Sequence, residues 1–419
     1  MSTKSTGTIC NDFQFLCLVA AGIVALTSIL LVVFRFWSLS ATPKVKILLQ
    51  DEIKSARQRA LEYCFNPRAV MAKGYAKDMQ IEYTHFGGPA EYVIHAIKAN
   101  LTGSLFHDKV LRLIATNNAR VFQGTTASLD EEWLAASTGY VLACFDCIRA
   151  LKQWHPYLRP LVYRFIPERA AIKDQWAKGR KRVMASMRER QEKGGNLEDP
   201  PTMLDHLSNG RNEHIRDDVE LQLLHQMTLI AVGTVTTFSS TTQAIYDLVA
   251  HPEYIPILRE EVESVPRDEN GNFTKESTVA MDKLDSFLKE SQRFNSPDLT
   301  IADMTLPDGT FVPKGTKLEI NTCSIHKDHE LYENPEEFNG LRFHEWRKEP
   351  GKEKKYMYSS SGTDDLSWGF GRHACPGRYL SAINIKLIMA ELLINYDIKL
   401  PDGCSPEPDF EILFKDRNH

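Results

Sequence analysis

The sequence predicts a mainly α-helical protein with a minor β component, tethered by one N-terminal transmembrane helix. A long apolar run lies near the N-terminus, and stretches of helical apolar spacing fill the middle. Short, Pro/Gly-punctuated extended pieces are confined to the region after Arg293. Of 419 residues, 42% are hydrophobic and 25% charged, enough to bury a large core and too apolar for a disordered chain. With 50 Lys+Arg against 55 Asp+Glu the net charge is -5, so there is no basic field to displace counterions from a nucleic acid, and no nucleic-acid partner is expected. The 8 cysteines are too few and too scattered for a secreted disulfide framework and point to a reducing compartment.

The first element is the apolar run over residues 13–34, interrupted only by Gln14, Thr27 and Ser28. About 22 helical residues cross a hydrocarbon layer of roughly 30 Å. A cleavable signal has a shorter apolar core followed by small residues, whereas Arg35, Phe36 and Trp37 follow here. The anchor is therefore set at 13–36. Lys4 precedes it and Arg35, Lys44, Lys46, Lys54, Arg57 and Arg59 follow, so the positive-inside bias puts residues 1–12 in the lumen and the body, 37–419, in the cytoplasm. Residues 44–76 are mixed and charged, with helical runs between Pro43 and Pro67.

Helical spacing returns over 110–151 and 170–192. The latter carries Lys173, Lys178, Arg180, Lys181, Arg182, Arg188 and Arg190 and reads as a solvated face. Gly194, Gly195, Pro200 and Pro201 mark a loop. Asp217 and Asp218 then cap the longest helix of the body, which runs to Ala250, where His251-Pro252 stops it. Another helix is predicted over 282–294, short strands over 304–306, 311–312 and 317–321, and a final buried helix over 379–395. Cys144 and Cys147, in an apolar helical run, read as core packing. His225, His251, His326 and His329 form no zinc-binding pair.

The most informative stretch is Trp368-Gly-Phe-Gly371-Arg-His373-Ala-Cys375-Pro-Gly-Arg378. Two glycines before the cysteine and a Pro-Gly pair after it describe a constrained loop that aims one sulfur. The start of the following helix favours a thiolate there. This stretch resembles the haem-binding loop of the cytochrome P-450 superfamily, in the form typical of fungal members. The resemblance implies the P-450 fold, with haem held between a long central helix and the cysteine loop. It also implies Cys375 as axial iron ligand, His373 as a propionate contact, Gly371 as part of the cofactor loop, and Trp368, in place of the usual Phe, as an aromatic wall.

Glu290 and Arg293, with Arg342 downstream, resemble the family's structural Glu-Arg-Arg triad. Val232-Gly233-Thr234-Val235-Thr236-Thr237 resembles its central-helix motif, with Gly233 opening a groove and Thr236 assisting oxygen protonation, while Val235 replaces the usual acid. Helical threonines also bond back to the preceding turn, a reading that weighs more on Thr237 than on Thr236.

The expected function is that of a single-pass protein of the endoplasmic reticulum membrane. It would be a haem-thiolate monooxygenase hydroxylating or epoxidising a lipophilic terpenoid-, polyketide- or alkaloid-type intermediate of fungal secondary metabolism. Its electrons would come from an NADPH-cytochrome P-450 reductase docking near Arg372, Arg378 and Lys386. The resemblance is patchy before residue 109. The family's N-terminal β-lobe is incomplete around residues 77–83, and shortenings fall near Leu105 and between Arg293 and Asp308. The competing expectation is thus a non-catalytic, decayed or mis-spliced membrane-anchored relative.

Overall fold

The computed structural model describes residues 106–192, 202–206, 216–295, 299–301, 318–320, 322–371, 374–399 and 412–417. The predicted anchor and the strands predicted over 304–306 and 311–312 lie outside these residues, as do Arg372 and His373.

Helical spacing over 110–151 is realised as two long helices, α1 (Phe106–Gln123) and α2 (Glu131–Lys152), with a single helical turn over Thr125–Ser128 between them. Between them Gly124 adopts φ +104°, a conformation that side chains oppose. Asp130 caps α2 by accepting the Trp133 amide at 3.0 Å. Glu131 and Glu132 in its first turn and Arg149 and Lys152 in its last complement the helix dipole. Among the described residues α2 alone is long and apolar enough, by composition, to cross a membrane. One side of it nevertheless belongs to the core, through Trp133, Leu134, Val141 and Cys147, while Leu142, Phe145 and Ile148 on the other side are about half exposed.

The charged helix α3 (Glu168–Glu192) buries only Gly179, Arg182, Val183 and Ser186. The expectation of a solvated face holds for the rest, but Arg182 turns inward and reaches Glu189 at 3.2 Å.

The longest helix, α4 (Val219–Ala250), starts where Asp218 accepts the amides of Glu220 and Leu221 at 2.9 and 3.0 Å. It ends at His251, before Pro252. After it come α5 (Tyr254–Ser264), α6 (Lys275–Ala280), α7 (Asp282–Phe294), α8 (Thr322–His326), α9 (Arg342–Arg347) and α10 (Arg378–Asn395). α7 and α10 lie where periodicity put them. The shorter helices carry too few turns to show a pattern. The strand expected over 317–321 is β2 (Leu318–Ile320), paired antiparallel with β1 (Leu299–Ile301), Leu299 opposite Ile320. A second pair, β3 (Tyr396–Lys399) and β4 (Leu413–Asp416), was not legible, because β3 leaves α10 with no Gly or Pro to mark the change of period.

Two apolar clusters share α4. Its N-terminal half packs Leu223, Met227 and Ile230 with Phe122, Trp133 and Val183. Its C-terminal half packs Ile245 and Leu248 with Leu284, Phe287, Ile385, Ile388 and Leu392. Each such large side chain contributes about 1.5–3 kcal/mol on burial.

The buried face of α10 corrects one expectation. Lys386 offers no surface charge to a redox partner. It is 5% exposed, pairs with Asp285 Oδ1 at 2.6 Å and donates to the Thr278 carbonyl at 3.0 Å. Asp285 also receives Arg347 at 2.5 Å and the Tyr358 amide at 2.8 Å. Burial alone would raise the Asp285 carboxyl, but the two cations hold it below the usual carboxylate range. A depressed carboxylate contributes stability above its unfolded pKa, about 3.9 for Asp, and loses it as pH falls toward the folded value. Asp285→Asn should therefore flatten the acid limb of the stability curve below about pH 4. Lys386→Met should cost about 3 kcal/mol in urea unfolding at pH 7.

Candidate functional site

The cysteine loop is shaped by backbone before chemistry. Gly369 and Gly371 sit at φ +71° and +62°, in the left-handed region that favours glycine. The turn closes when the Cys375 amide donates to the Trp368 carbonyl at 2.7 Å. The Trp368 indole donates to the Tyr358 carbonyl at 2.7 Å and stands edge-on to the Tyr358 ring at 5.5 Å, which fixes the incoming limb of the loop to the core.

Past the cysteine, Gly377 is the N-cap of α10. The amides of Gly377 and Arg378 point at the sulfur. A Cβ at Gly377 would lie 4.0 Å from Sγ, in ordinary van der Waals contact with it. Arg378 is committed to the loop, with Nη1 donating to the Cys375 carbonyl at 2.7 Å and its guanidinium 4.4 Å from the Tyr379 ring centre.

Burial pushes the Cys375 thiol up, and the two amides and the Arg378 charge oppose this without outweighing it. The helix start was expected to favour a thiolate, and the burial of the sulfur works against that expectation.

The central helix meets this loop through a hydroxyl pair, Thr237 Oγ1 and Ser381 Oγ, 3.1 Å apart, which joins α4 to the first turn of α10. On the open face of α4, Val232 is 60% exposed and Thr236 is exposed. The Thr236 hydroxyl donates to the Val232 carbonyl at 2.8 Å. The back-bonding weighed more toward Thr237 is made by Thr236, while Thr237 makes the tertiary contact. Gly233 faces α1, where a Cβ would meet Asn118 and Phe122 at 3.9 and 4.0 Å, and the helix runs through it unbroken.

The Glu-Arg-Arg grouping is brought together as expected. Arg293 grips Glu290 with Nε at 2.9 Å and Nη2 at 2.8 Å. Arg342 Nε lies 3.2 Å from each Glu290 oxygen, and the Asn339 amide donates at 3.0 Å. The spare guanidinium donors reach the carbonyls of His326 and Pro335 from Arg293, and those of Glu333, Asn334 and Glu337 from Arg342. One charged centre thus organises the whole segment 333–342.

Two further carboxylates went unnoticed in the sequence, because partners 60 to 100 residues apart leave no spacing signal. One is Asp285, described above. The other is Asp365, three residues before Trp368, which pairs with Lys289. Burial alone would raise the Asp365 carboxyl, but Lys289 and the facing His326 ring hold it far below the usual range.

One sulfur donor in a glycine-cleared loop fits a metal that arrives within its own organic ligand, as the iron of a haem would. Among the described residues no group of His, Cys, Asp or Glu forms a separate metal site.

A family model for cytochrome P-450 matches residues 129–418. The chain belongs to the cytochrome P-450 family. It is 33% identical over 314 residues to the cytochrome P-450 monooxygenase braC of Annulohypoxylon truncatum, an alignment covering 72% of this chain and 62% of that protein. It is 30% identical to the cytochrome P-450 monooxygenase ascG of Acremonium egyptiacum, over 84% of this chain and 77% of that one. The chain thus spans about three fifths of the length of the first of these P-450 relatives. Among solved structures, a cyanobacterial P-450 with retinoic acid bound superposes with a TM-score of 0.59 at 19% identity, over 87% of this chain and 78% of that one. A zebrafish P-450 with abiraterone gives 0.57 at 18%, over 82% and 80%. These two likenesses establish the fold.

Glu290→Ala would leave two buried guanidiniums without their carboxylate and should destabilise the protein by about 3–5 kcal/mol in denaturant titration. Gly371→Ala should cost less, about 1–2 kcal/mol, through backbone strain in the loop.

Proposed function

We propose that the protein is a haem-thiolate monooxygenase that inserts one oxygen atom into a C–H bond, or across an alkene, of a hydrophobic small molecule. The observation that carries this reading is the Cys375 sulfur. Its residue is held by the Trp368 carbonyl through the backbone amide, and the Gly377 and Arg378 amides face the sulfur, in a loop that leads into α10, where Ser381 meets Thr237 of α4. Bound to that sulfur, haem would supply dioxygen activation, with thiolate donation favouring O–O cleavage.

The chain's residues would then do three things. Cys375 ligates the iron, and the Gly377 and Arg378 amides steady its charge. Val232 and the apolar side of α4 exclude water from the substrate. Thr236 handles a proton: its hydrogen is directed at the Val232 carbonyl, which leaves its lone pairs open to accept, and Val235 beside it brings no acid. His373 as a propionate contact and Trp368 as a wall beside the sulfur complete the assignment. An NADPH-cytochrome P-450 reductase is the proposed electron donor. The fungal relatives support a secondary metabolite of terpenoid, polyketide or alkaloid type as the substrate class.

An endoplasmic reticulum membrane location is proposed on the anchor at 13–36, and a surface feature supports it. Trp154, Tyr157, Leu161 and Phe165, which come after α2, are 46%, 86%, 56% and 78% exposed, with Arg149, Lys152, Arg159, Arg164 and Arg169 around them. Aromatic and basic side chains together suit the interface of an anionic bilayer.

Reduced, carbon-monoxide-treated protein should show the red-shifted band of thiolate-ligated haem, and Cys375→Ala should abolish it. A colourless parent supplied with hemin would instead support the non-catalytic reading. Thr236→Ala should lower product formed per NADPH consumed by about tenfold, and Thr236→Ser should restore it. In vesicles of anionic brominated lipid, the Trp154 contribution to fluorescence, obtained by difference from Trp154→Phe, should be quenched; an unquenched signal removes the bilayer contact.

A further inference from the structure

The Glu-Arg-Arg helix carries a second buried charge beside the triad. Lys289, next to Glu290 in α7, is 2% exposed and points at Asp365, at the entrance to the cysteine loop, forming an ion pair. The Asp365 carboxylate does two jobs at once. Oδ2 takes the Lys289 ammonium, and Oδ1 accepts the Ser367 amide at 3.0 Å, closing the turn that delivers Trp368. The Gly369 amide donates to the Leu366 carbonyl at 2.8 Å in the same turn, and the Trp368 carbonyl receives the Cys375 amide. A continuous path of short polar contacts therefore runs from the rigid helix α7 to the backbone of the sulfur-bearing residue.

The third wall is His326, 1% exposed, whose Nε2 lies 3.5 Å from Asp365 Oδ1. The ring faces the carboxylate there without meeting hydrogen-bond geometry. Tyr332 stands edge-on to this ring at 6.2 Å, and its hydroxyl donates to the Asp364 carbonyl at 2.9 Å, pinning the loop a second time. The same α8 residue gives its carbonyl to Arg293 at 2.6 Å, so the triad and the loop entrance share one support.

We infer that Asp365, held by Lys289 and flanked by His326, is a positioning residue that fixes the cysteine loop and thereby the orientation of the Cys375 sulfur toward iron. The ammonium clamps the carboxylate, the carboxylate fixes the turn, and the turn sets the carbonyl that holds the Cys375 amide. Losing the clamp frees the loop to sample open conformations without removing any residue that touches the cofactor. The inference rests on the haem-thiolate reading for its consequence at iron, but its effect on the loop is measurable without the cofactor.

The test compares the parent full-length chain with Asp365→Asn, which keeps the shape and an acceptor for Ser367, with Lys289→Met, and with the double variant, which removes both buried charges together. Arg259→Met, which breaks the remote Arg259–Asp397 pair, is the stability control. In protein purified without added hemin, iodoacetamide labelling of Cys375, read by peptide mass spectrometry against Cys144, should accelerate about tenfold in all three variants. That is the effect of losing one charge-assisted hydrogen bond on the open population. It should not change in the control.

After hemin loading, the same variants should move reduced, carbon-monoxide-treated protein from the thiolate-type band toward the neutral-thiol band, and should lose haem to an excess of apomyoglobin faster. Unchanged labelling and an unchanged band ratio, with only a lowered melting temperature, would overturn the positioning role and leave the pair as a buried structural contact. A parent with no thiolate-type band but with the labelling difference intact would sink the haem reading and leave the loop-clamping inference standing.

Discussion

Everything near the site leans on one carboxylate with no access to water. Glu290 is fully buried and is met by two guanidiniums and a backbone amide. Unpaired, such a charge would be several kcal/mol unfavourable. Doubly paired, its partners must present their remaining donors somewhere, and those donors find the carbonyls of the irregular stretch 333–337. A segment with almost no regular secondary structure thereby acquires a fixed path. Its fixed end, α9, lies against α7, and the chain leaves α9 from a set position to build the cysteine loop.

The same device recurs along α7. Asp285, Lys289 and Glu290 all point into the protein and each is matched by opposite charge from a different element: α10 and α9 for Asp285, the loop entrance for Lys289, and α9 for Glu290. A helix with four buried ionic residues, Arg293 included, cannot slide or rotate without stranding a charge. This trades hydrophobic stability for a unique register, and register is what a site with a single sulfur donor requires.

The legible part of the molecule was the part with a period or a compact motif. Asp218 as a cap, Ala250 as an end, the spans of α7 and α10, and the Glu290–Arg293–Arg342 grouping could be read because each signal lies within a few residues or in a characteristic order. Lys386 was misjudged because a lysine in an apolar helix looks like an exposed residue unless its partner is known, and Asp285 lies a hundred residues earlier. Which of Thr236 and Thr237 bonds back to its own helix was invisible because adjacent hydroxyls differ only in which neighbour their helix face meets. β3 escaped notice because the chain passes from helix to strand with no breaker, and Asp365 because a single acid in a polar loop is inconspicuous until Lys289 is seen beneath it.

The burial that pushes the Cys375 thiol up bears on how the molecule matures. A thiol that ionises less readily is a poorer nucleophile and a poorer target for peroxide. Were the sulfur to ligate iron as proposed, its proton would have to leave, and uptake of the group would be favoured in mildly alkaline surroundings.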